Sequence, residues 1–376
     1  MTEQQRRVAI FVPGLYGGGA ERVAVNLAKG MARRSYAIDL VVAEAEGPYL
    51  AEGLNPVRLV ELNSRHLPIL RTMASLPALV RYLRRERPAA LLSVLHGNFV
   101  ALWARHLAGI PLRLVISEHN TFSIRTRTLS RFHRWLTPQL VKRFYPWADG
   151  IVAVSKGVAD DLTQVVDLPE GHIRIIYNPI ITPELRAKAQ MPLEHPWYQS
   201  GEPPVVVAVG RLTEQKDFSS LLKAFAQVQR ARPVRLIILG EGEERRALEM
   251  LVRQLGLSED VSLPGFVANP YPYLVHASLF VLSSRWEGLP TVLVEALYCG
   301  VPVVATDCPS GPREILADGK YGLLVPVGDV GAMAQAIEKG LAGREPPPAE
   351  SWQPYELDHV VNHYVDVLLG DERCAA

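Results

Sequence analysis

An alternation, run through twice, of short continuous apolar segments with stretches of helical period constrains this chain most. In the first half the apolar runs are Val8–Val12, Ile38–Val42, Ala90–Val94, Leu112–Ser117 and Ile151–Val154. Runs of this length without polar alternation suit strands buried on both faces, which means a parallel sheet covered by helices. Right-handed crossovers then make a doubly wound α/β layer structure. The pattern restarts with Val205–Val209, Leu236–Leu239, Leu279–Leu282 and Val303–Ala305, and helices are expected at Phe218–Arg230, Glu243–Leu255, Leu289–Cys299 and Gly331–Gly340.

Between the two series, prolines at 183, 192, 196, 203 and 204 interrupt a stretch with little periodicity, as in an interdomain linker. A chain of 376 residues is also long for one core. The reading is therefore two Rossmann-like domains, residues 1–185 and 200–345. Beyond Pro346-Pro347-Pro348, Tyr355–Leu369 carries apolar residues at 357, 360, 361, 364, 365 and 368, so residues 353–370 are expected to hold a last helix with one face to bury.

Cys299, Cys308 and Cys374 form no C-x-x-C pair, and Val8–Val12 is too short for a signal core or a membrane span. The expected location is a reducing cytoplasm. Residues 1–180 carry a net charge of +9 and residues 181–376 a net charge of −8, so the first half is the one to attract anionic partners. Its basic residues concentrate in Arg125–Trp147. There Arg125, Arg127, Arg131, Arg134, Lys142 and Arg143 interleave with aromatic and aliphatic residues and with no acid. Such a segment suits an anionic membrane on the inner face of the cell, the alternative being a helix with one buried and one solvated face. Arg81, Arg84, Arg85 and Arg87 add a second basic cluster. Nothing points to a nucleic acid.

Four segments can carry chemistry. After the first run, Gly14 and Gly17-Gly18-Gly19 sit where a strand turns into a helix, and exposed N–H groups there can bind a diphosphate, although a plain tight turn needs the same glycines. After Val205–Val209, Arg211 and Lys216 lie at the ligand edge of an open sheet, able to hold phosphate oxygens or simply to face solvent. Glu287 and Glu295 stand eight positions apart near a helix start. They could accept hydrogen bonds from sugar hydroxyls and a ribose diol, or serve as a helix cap and a surface charge. His96-Gly97-Asn98 also follows a strand and can line an acceptor or shape a turn.

Taken in order, Gly14 to Arg22, Gly210-Arg211-Leu212 with Gln215-Lys216, Gly240-Glu241-Gly242, Gly265-Phe266-Val267 and Glu287 through Glu295 resemble the family-4 retaining glycosyltransferases of the GT-B fold along nearly the whole chain. The resemblance implies two domains facing across a cleft, with the last helix returning to the first domain. It also implies a nucleotide-sugar donor, a UDP-sugar above others, and a glycan or lipid-linked acceptor in cell-surface polysaccharide synthesis. By the same resemblance Arg211 and Lys216 hold the diphosphate, with glycines 17 to 19 completing its pocket. Phe266 and Val267 lie by the base, Glu287 touches the sugar, Glu295 the ribose, and Glu241 and Gly288-Leu289-Pro290 the donor. His119, in Ile116-Ser117-Glu118-His119-Asn120, matches the family's histidine beside the donor sugar, although a lone histidine is also often structural. His96, Asn98 and Asn120 are the acceptor-side candidates.

No D-x-D triplet occurs, so the expected chemistry needs no metal and no cofactor. Three other functions share parts of this pattern. A sugar-nucleotide 2-epimerase shares the architecture, but the Glu287/Glu295 pattern argues against it. A non-catalytic nucleotide-sugar-binding protein fits the same motifs. An NAD-dependent oxidoreductase fits poorly, because the G-x-G-x-x-G spacing fails at both glycine turns.

Overall fold

The computed structural model describes residues 7–16, 18–50, 53–62, 71–127, 131–166, 171–343 and 345–370, with the side chains of 48, 71, 96, 125–127 and 131–133 also left aside. The chain forms two compact units, residues 1–180 with 355–376, and residues 181–354.

In the first unit the strands are β1 (Arg7–Val12), β2 (Ala37–Val42), β3 (Arg58–Glu61), β4 (Ala90–Val94), β5 (Arg113–Glu118), β6 (Gly150–Ala153) and β7 (Ile173–Ile175). They pair in parallel in the order β3-β2-β1-β4-β5-β6-β7. Strand β1 shows why its sequence is apolar throughout. Val8, Ile10 and Val12 enter one core with helix Gly19–Arg33, while Ala9 and Phe11 enter the opposite core with helices Leu76–Glu86 and Asn98–Ala108. Successive strand residues face opposite ways, so a strand covered on both faces cannot alternate in polarity.

The last helix, Leu357–Leu369, belongs to this unit: Leu357, Val360, Val361, Tyr364 and Val365 share the core of helix Gly19–Arg33. The two helices meet at Gly30, where an added Cβ would lie 2.7 Å from Val361 Cγ2 and 2.9 Å from Leu357 Cδ1. Only a residue without a side chain permits that approach.

In the second unit β8 (Val205–Val209), β9 (Arg235–Leu239), β10 (Val261–Gly265), β11 (Leu279–Leu282), β12 (Val303–Thr306) and β13 (Leu323–Val325) run parallel in the order β10-β9-β8-β11-β12-β13. In both sheets the chain winds outward from the first strand in one direction and then returns to its other side. The strand order thus reverses between β1 and β4, and between β8 and β11. In open α/β sheets ligands bind at such reversals, beyond the carboxyl ends of the strands.

Two expectations need correction. The stretch read as an interdomain linker begins with a helix, Pro183–Ala189, which Thr182 caps by accepting from the Leu185 N–H at 3.1 Å and which belongs to the second unit. The helix expected from Leu289 begins at Thr291, because Pro290 has an extended backbone (φ −69°, ψ 98°) and forms its N-cap. Glu287 lies in the loop before this helix, as expected, and Glu295 one turn into it.

Candidate active site

In the second unit the loop after β8 and the loop after β11 are tied together at the point where strand order reverses. The Ser283 hydroxyl donates to the Lys216 carbonyl at 2.6 Å, the Arg285 N–H to the Gln215 carbonyl at 2.8 Å, and the Gln215 amide to the Trp286 carbonyl at 2.9 Å. Asp217 fixes the end of the first loop. Its carboxylate accepts from the Ser220 N–H and hydroxyl, capping helix Phe218–Ala231, and from Arg285 Nε at 3.1 Å.

This framework brings together two residues singled out from the sequence, Lys216 and Glu287. Lys216 Nζ lies 2.6 Å from Glu287 Oε1, and the Ser284 hydroxyl donates to the same oxygen at 2.6 Å. The side chains are 16% and 8% exposed, so the pair is largely screened from bulk water and its charges act strongly on anything beside it. Arg211 is exposed, and among the described residues its side chain has no ion-pair partner.

Gly240 explains the neighbouring glycine motif. Its φ is +148°, and a Cβ there would lie 1.9 Å from the Gly210 carbonyl oxygen, so the loops after β8 and β9 touch through backbone alone. The Leu212 N–H donates to the Glu241 carbonyl at 2.9 Å across the same contact, while the Glu241 carboxylate pairs with Arg245. Phe266 is 74% exposed just beyond β10, and Val267 beside it is half-buried. Gly288, Leu289 and Pro290 are buried ahead of helix Thr291–Tyr298, and Glu295 on that helix is half-buried.

In the first unit the glycine turn holds its own acid. The Glu21 carboxylate accepts from the Gly18 N–H at 2.8 Å, the acidic half of a capping box, at the start of helix Gly19–Arg33. An anion arriving at that helix end would meet this carboxylate. Gly17 lies outside the described residues.

His119 follows β5, is 7% exposed, and has its Nε2 3.0 Å from the Ser117 hydroxyl. Burial pushes the imidazole down to about 3, so the ring is neutral at physiological pH. Asn98 is buried and its amide nitrogen donates to the Ser117 carbonyl and to Glu118 Oε1, which gives it a job inside the fold. Asn120 is exposed. His96 lies in the short turn Leu95–Gly97, with its side chain outside the described set. Among the described residues, no group of three or more His, Cys, Asp or Glu is placed to hold a metal ion.

Ser283 and Ser284 organise the pair without having announced themselves in the sequence. Their only signal is that small polar residues directly follow a buried strand at the ligand edge.

Two doubly wound units, one with a cation–carboxylate pair at its strand reversal, define a ligand-binding α/β protein of two Rossmann-like halves. Residues 17–183 match Glycosyltransferase Family 4 and residues 195–355 match Glycosyl transferases group 1. A diphospho-undecaprenol 4-alpha-N-acetylgalactosaminyltransferase of Campylobacter jejuni, which acts on an N-acetylgalactosamine-N,N'-diacetylbacillosaminyl acceptor, is 31% identical over 89% of each chain. The lipopolysaccharide core biosynthesis glycosyltransferase LpsE of Rhizobium meliloti is 31% identical over 86% of each. Among solved structures, Anabaena HepE in complex with UDP and glucose superposes with a TM-score of 0.74 at 20% identity, covering 96% of this chain and 98% of that one. The chain belongs to the family-4 glycosyltransferases of the GT-B fold.

Proposed function

We propose that this enzyme moves a sugar, with retention of anomeric configuration, from a UDP-sugar to a lipid-linked glycan during assembly of a bacterial surface polysaccharide. The observation that carries the reading is the Lys216–Glu287 pair, buried at the strand reversal of the second sheet. When the bond from the anomeric carbon to the diphosphate breaks, negative charge grows on the leaving phosphate and positive charge on the sugar. Lys216 and Arg211 offset the first, the largest electrostatic task in such a step. Glu287 holds Lys216 in place and offers a carboxylate oxygen to a sugar hydroxyl. A phosphate oxygen of the donor then takes the acceptor's proton on the face the diphosphate leaves, so no side chain serves as nucleophile. With two cations on the leaving group, the reading includes metal independence.

The two relatives at 31% identity support the acceptor class. One carries a diphospho-undecaprenol acceptor in its name and the other works in lipopolysaccharide core biosynthesis. The HepE complexes with UDP and with UDP-glucose support the donor.

Docking on an anionic membrane completes the proposal. Arg134, Trp135, Lys142 and Arg143 are exposed on helix Arg131–Phe144, with Trp135 at 66%. At ~1 kcal/mol per basic residue near an anionic surface, this helix contributes a few kcal/mol. Among the described residues no helix is long and apolar enough to cross a membrane.

Incubation with a panel of nucleotide sugars tests the donor reading. One UDP-sugar should raise the thermal midpoint and be hydrolysed slowly. Stabilisation by a reduced nicotinamide and by no nucleotide sugar would overturn it.

A further inference from the structure

The histidine assigned to the active site is tied to the last helix of the chain. Ser117 in β5 is fully buried, and its hydroxyl lies 3.0 Å from His119 Nε2 and 3.4 Å from the Tyr364 hydroxyl. Tyr364 sits on helix Leu357–Leu369 and is fully buried too, held over β5 by the Gly30 contact and by the Arg113 Nε donation to the Val367 carbonyl at 2.7 Å. Among the described residues the Tyr364 hydroxyl has no other hydrogen-bond partner, and His119 Nδ1 has none at all.

Three hydrogen arrangements fit these three groups. In the first, Tyr364 donates to Ser117 and Ser117 donates to Nε2, so both buried hydroxyl hydrogens find an acceptor and the Nδ1 hydrogen, on a nitrogen that is not fully buried, is left for solvent or substrate. In the second, Nε2–H donates to Ser117 and Ser117 donates to Tyr364, which strands the phenol hydrogen in the core. In the third, Nε2–H and the phenol both donate to Ser117, which strands the serine hydrogen. A buried donor without an acceptor is costly, so the first arrangement wins. Burial supports it further, since it keeps the phenol protonated, pushed up to about 12, and the imidazole neutral.

We propose that Ser117 and Tyr364 are positioning residues that lock His119 as its Nδ1–H tautomer. The nitrogen left for substrate is then a neutral hydrogen-bond donor, suited to a sugar hydroxyl or phosphate oxygen and unable to act as a base. This agrees with a mechanism in which the donor's own phosphate takes the acceptor proton. The proposal rests on the reading that His119 works beside the donor sugar.

The test uses the full chain, with the nucleotide sugar identified from the panel. Long-range proton–nitrogen correlation NMR on histidine-labelled protein reads the His119 tautomer directly. The wild type should show Nδ1–H, and Tyr364→Phe and Ser117→Ala should each populate Nε2–H. Each variant should lower kcat about tenfold with donor KM little changed, the scale of one lost orienting hydrogen bond. Ser117→Thr, which keeps the hydroxyl, should restore most of both signals. An Nε2–H tautomer in the wild type overturns the proposal, as do Tyr364→Phe and Ser117→Ala variants with unchanged tautomer and kcat. If His119→Ala keeps full turnover, the active-site reading of the histidine fails instead, and the tautomer measurement alone decides the relay.

Discussion

Replacing Lys216 by methionine separates what the buried pair does for stability from what it does for catalysis. At 2.6 Å and an effective dielectric near 20, the bare attraction between Lys216 and Glu287 is about 6 kcal/mol. Desolvation of both groups offsets much of this, and the Ser284 hydroxyl still donates to Glu287 after the lysine is gone. Breaking such a pair from one side should therefore cost about 3 kcal/mol, the low end for a buried charge that loses its partner. For a domain of this size that is roughly 6–12 °C in the melting midpoint. The double variant Lys216→Met/Glu287→Gln removes the orphaned charge and should regain at least half of the loss. Turnover should behave differently. Losing a cation on the leaving diphosphate should lower kcat by about 30- to 900-fold in the single variant, with no recovery in the double. Differential scanning calorimetry and donor turnover on the same samples give both numbers. A Lys216→Met enzyme with near-normal kcat, or a double variant that regains turnover with stability, would refute the reasoning.

Three further outcomes follow from the fold and the surface. Asp39 is buried among Arg7, Arg58 and Tyr82; burial pushes its carboxyl up, but hydrogen bonds from Arg58, Tyr82 and Arg7 outweigh that and hold it below its usual 3.8. A depressed carboxyl stabilises the fold above its unfolded pKa and loses that contribution as pH falls through its folded value. Asp39→Asn should therefore destabilise the protein at pH 7 by about 3 kcal/mol and flatten the acid limb below about pH 4, as read by urea titrations across pH. Gly30→Val should cost about 1–3 kcal/mol by pushing the last helix off helix Gly19–Arg33; an unchanged melting midpoint would contradict that packing. The chain should co-sediment with anionic liposomes at low salt, less so at high salt, and less again with Arg134, Lys142 and Arg143 changed to serine; no binding at low salt removes the docking proposal.

What the sequence revealed and what it hid divide along a physical line. Strands in the middle of each sheet were legible because burial on both faces makes them continuous apolar runs. β3, β7, β10 and β13 were not legible, and all four lie at sheet edges. Edge strands are short and partly exposed, so Arg58–Glu61, Ile173–Ile175 and Leu323–Val325 lack the long apolar run, and Val261–Gly265 even carries Pro264, which an edge tolerates. Likewise Lys216 and Glu287 stood out as charges at strand ends, but their direct pairing depends on loops stitched by Ser283 and Gln215. The Ser117–Tyr364 link joins residues 247 positions apart, and the buried Asp39 cluster crosses three strands and a helix. Such contacts follow from packing and leave no local pattern to read.

The central claim is the transfer itself, and NMR of the product formed from the panel's best UDP-sugar and an undecaprenyl-diphosphate-linked saccharide, in the presence of EDTA, tests it most directly. The account predicts one new glycosidic linkage with the donor's anomeric configuration, formed at the same rate without EDTA. An inverted anomeric centre, or transfer abolished by EDTA, would contradict it.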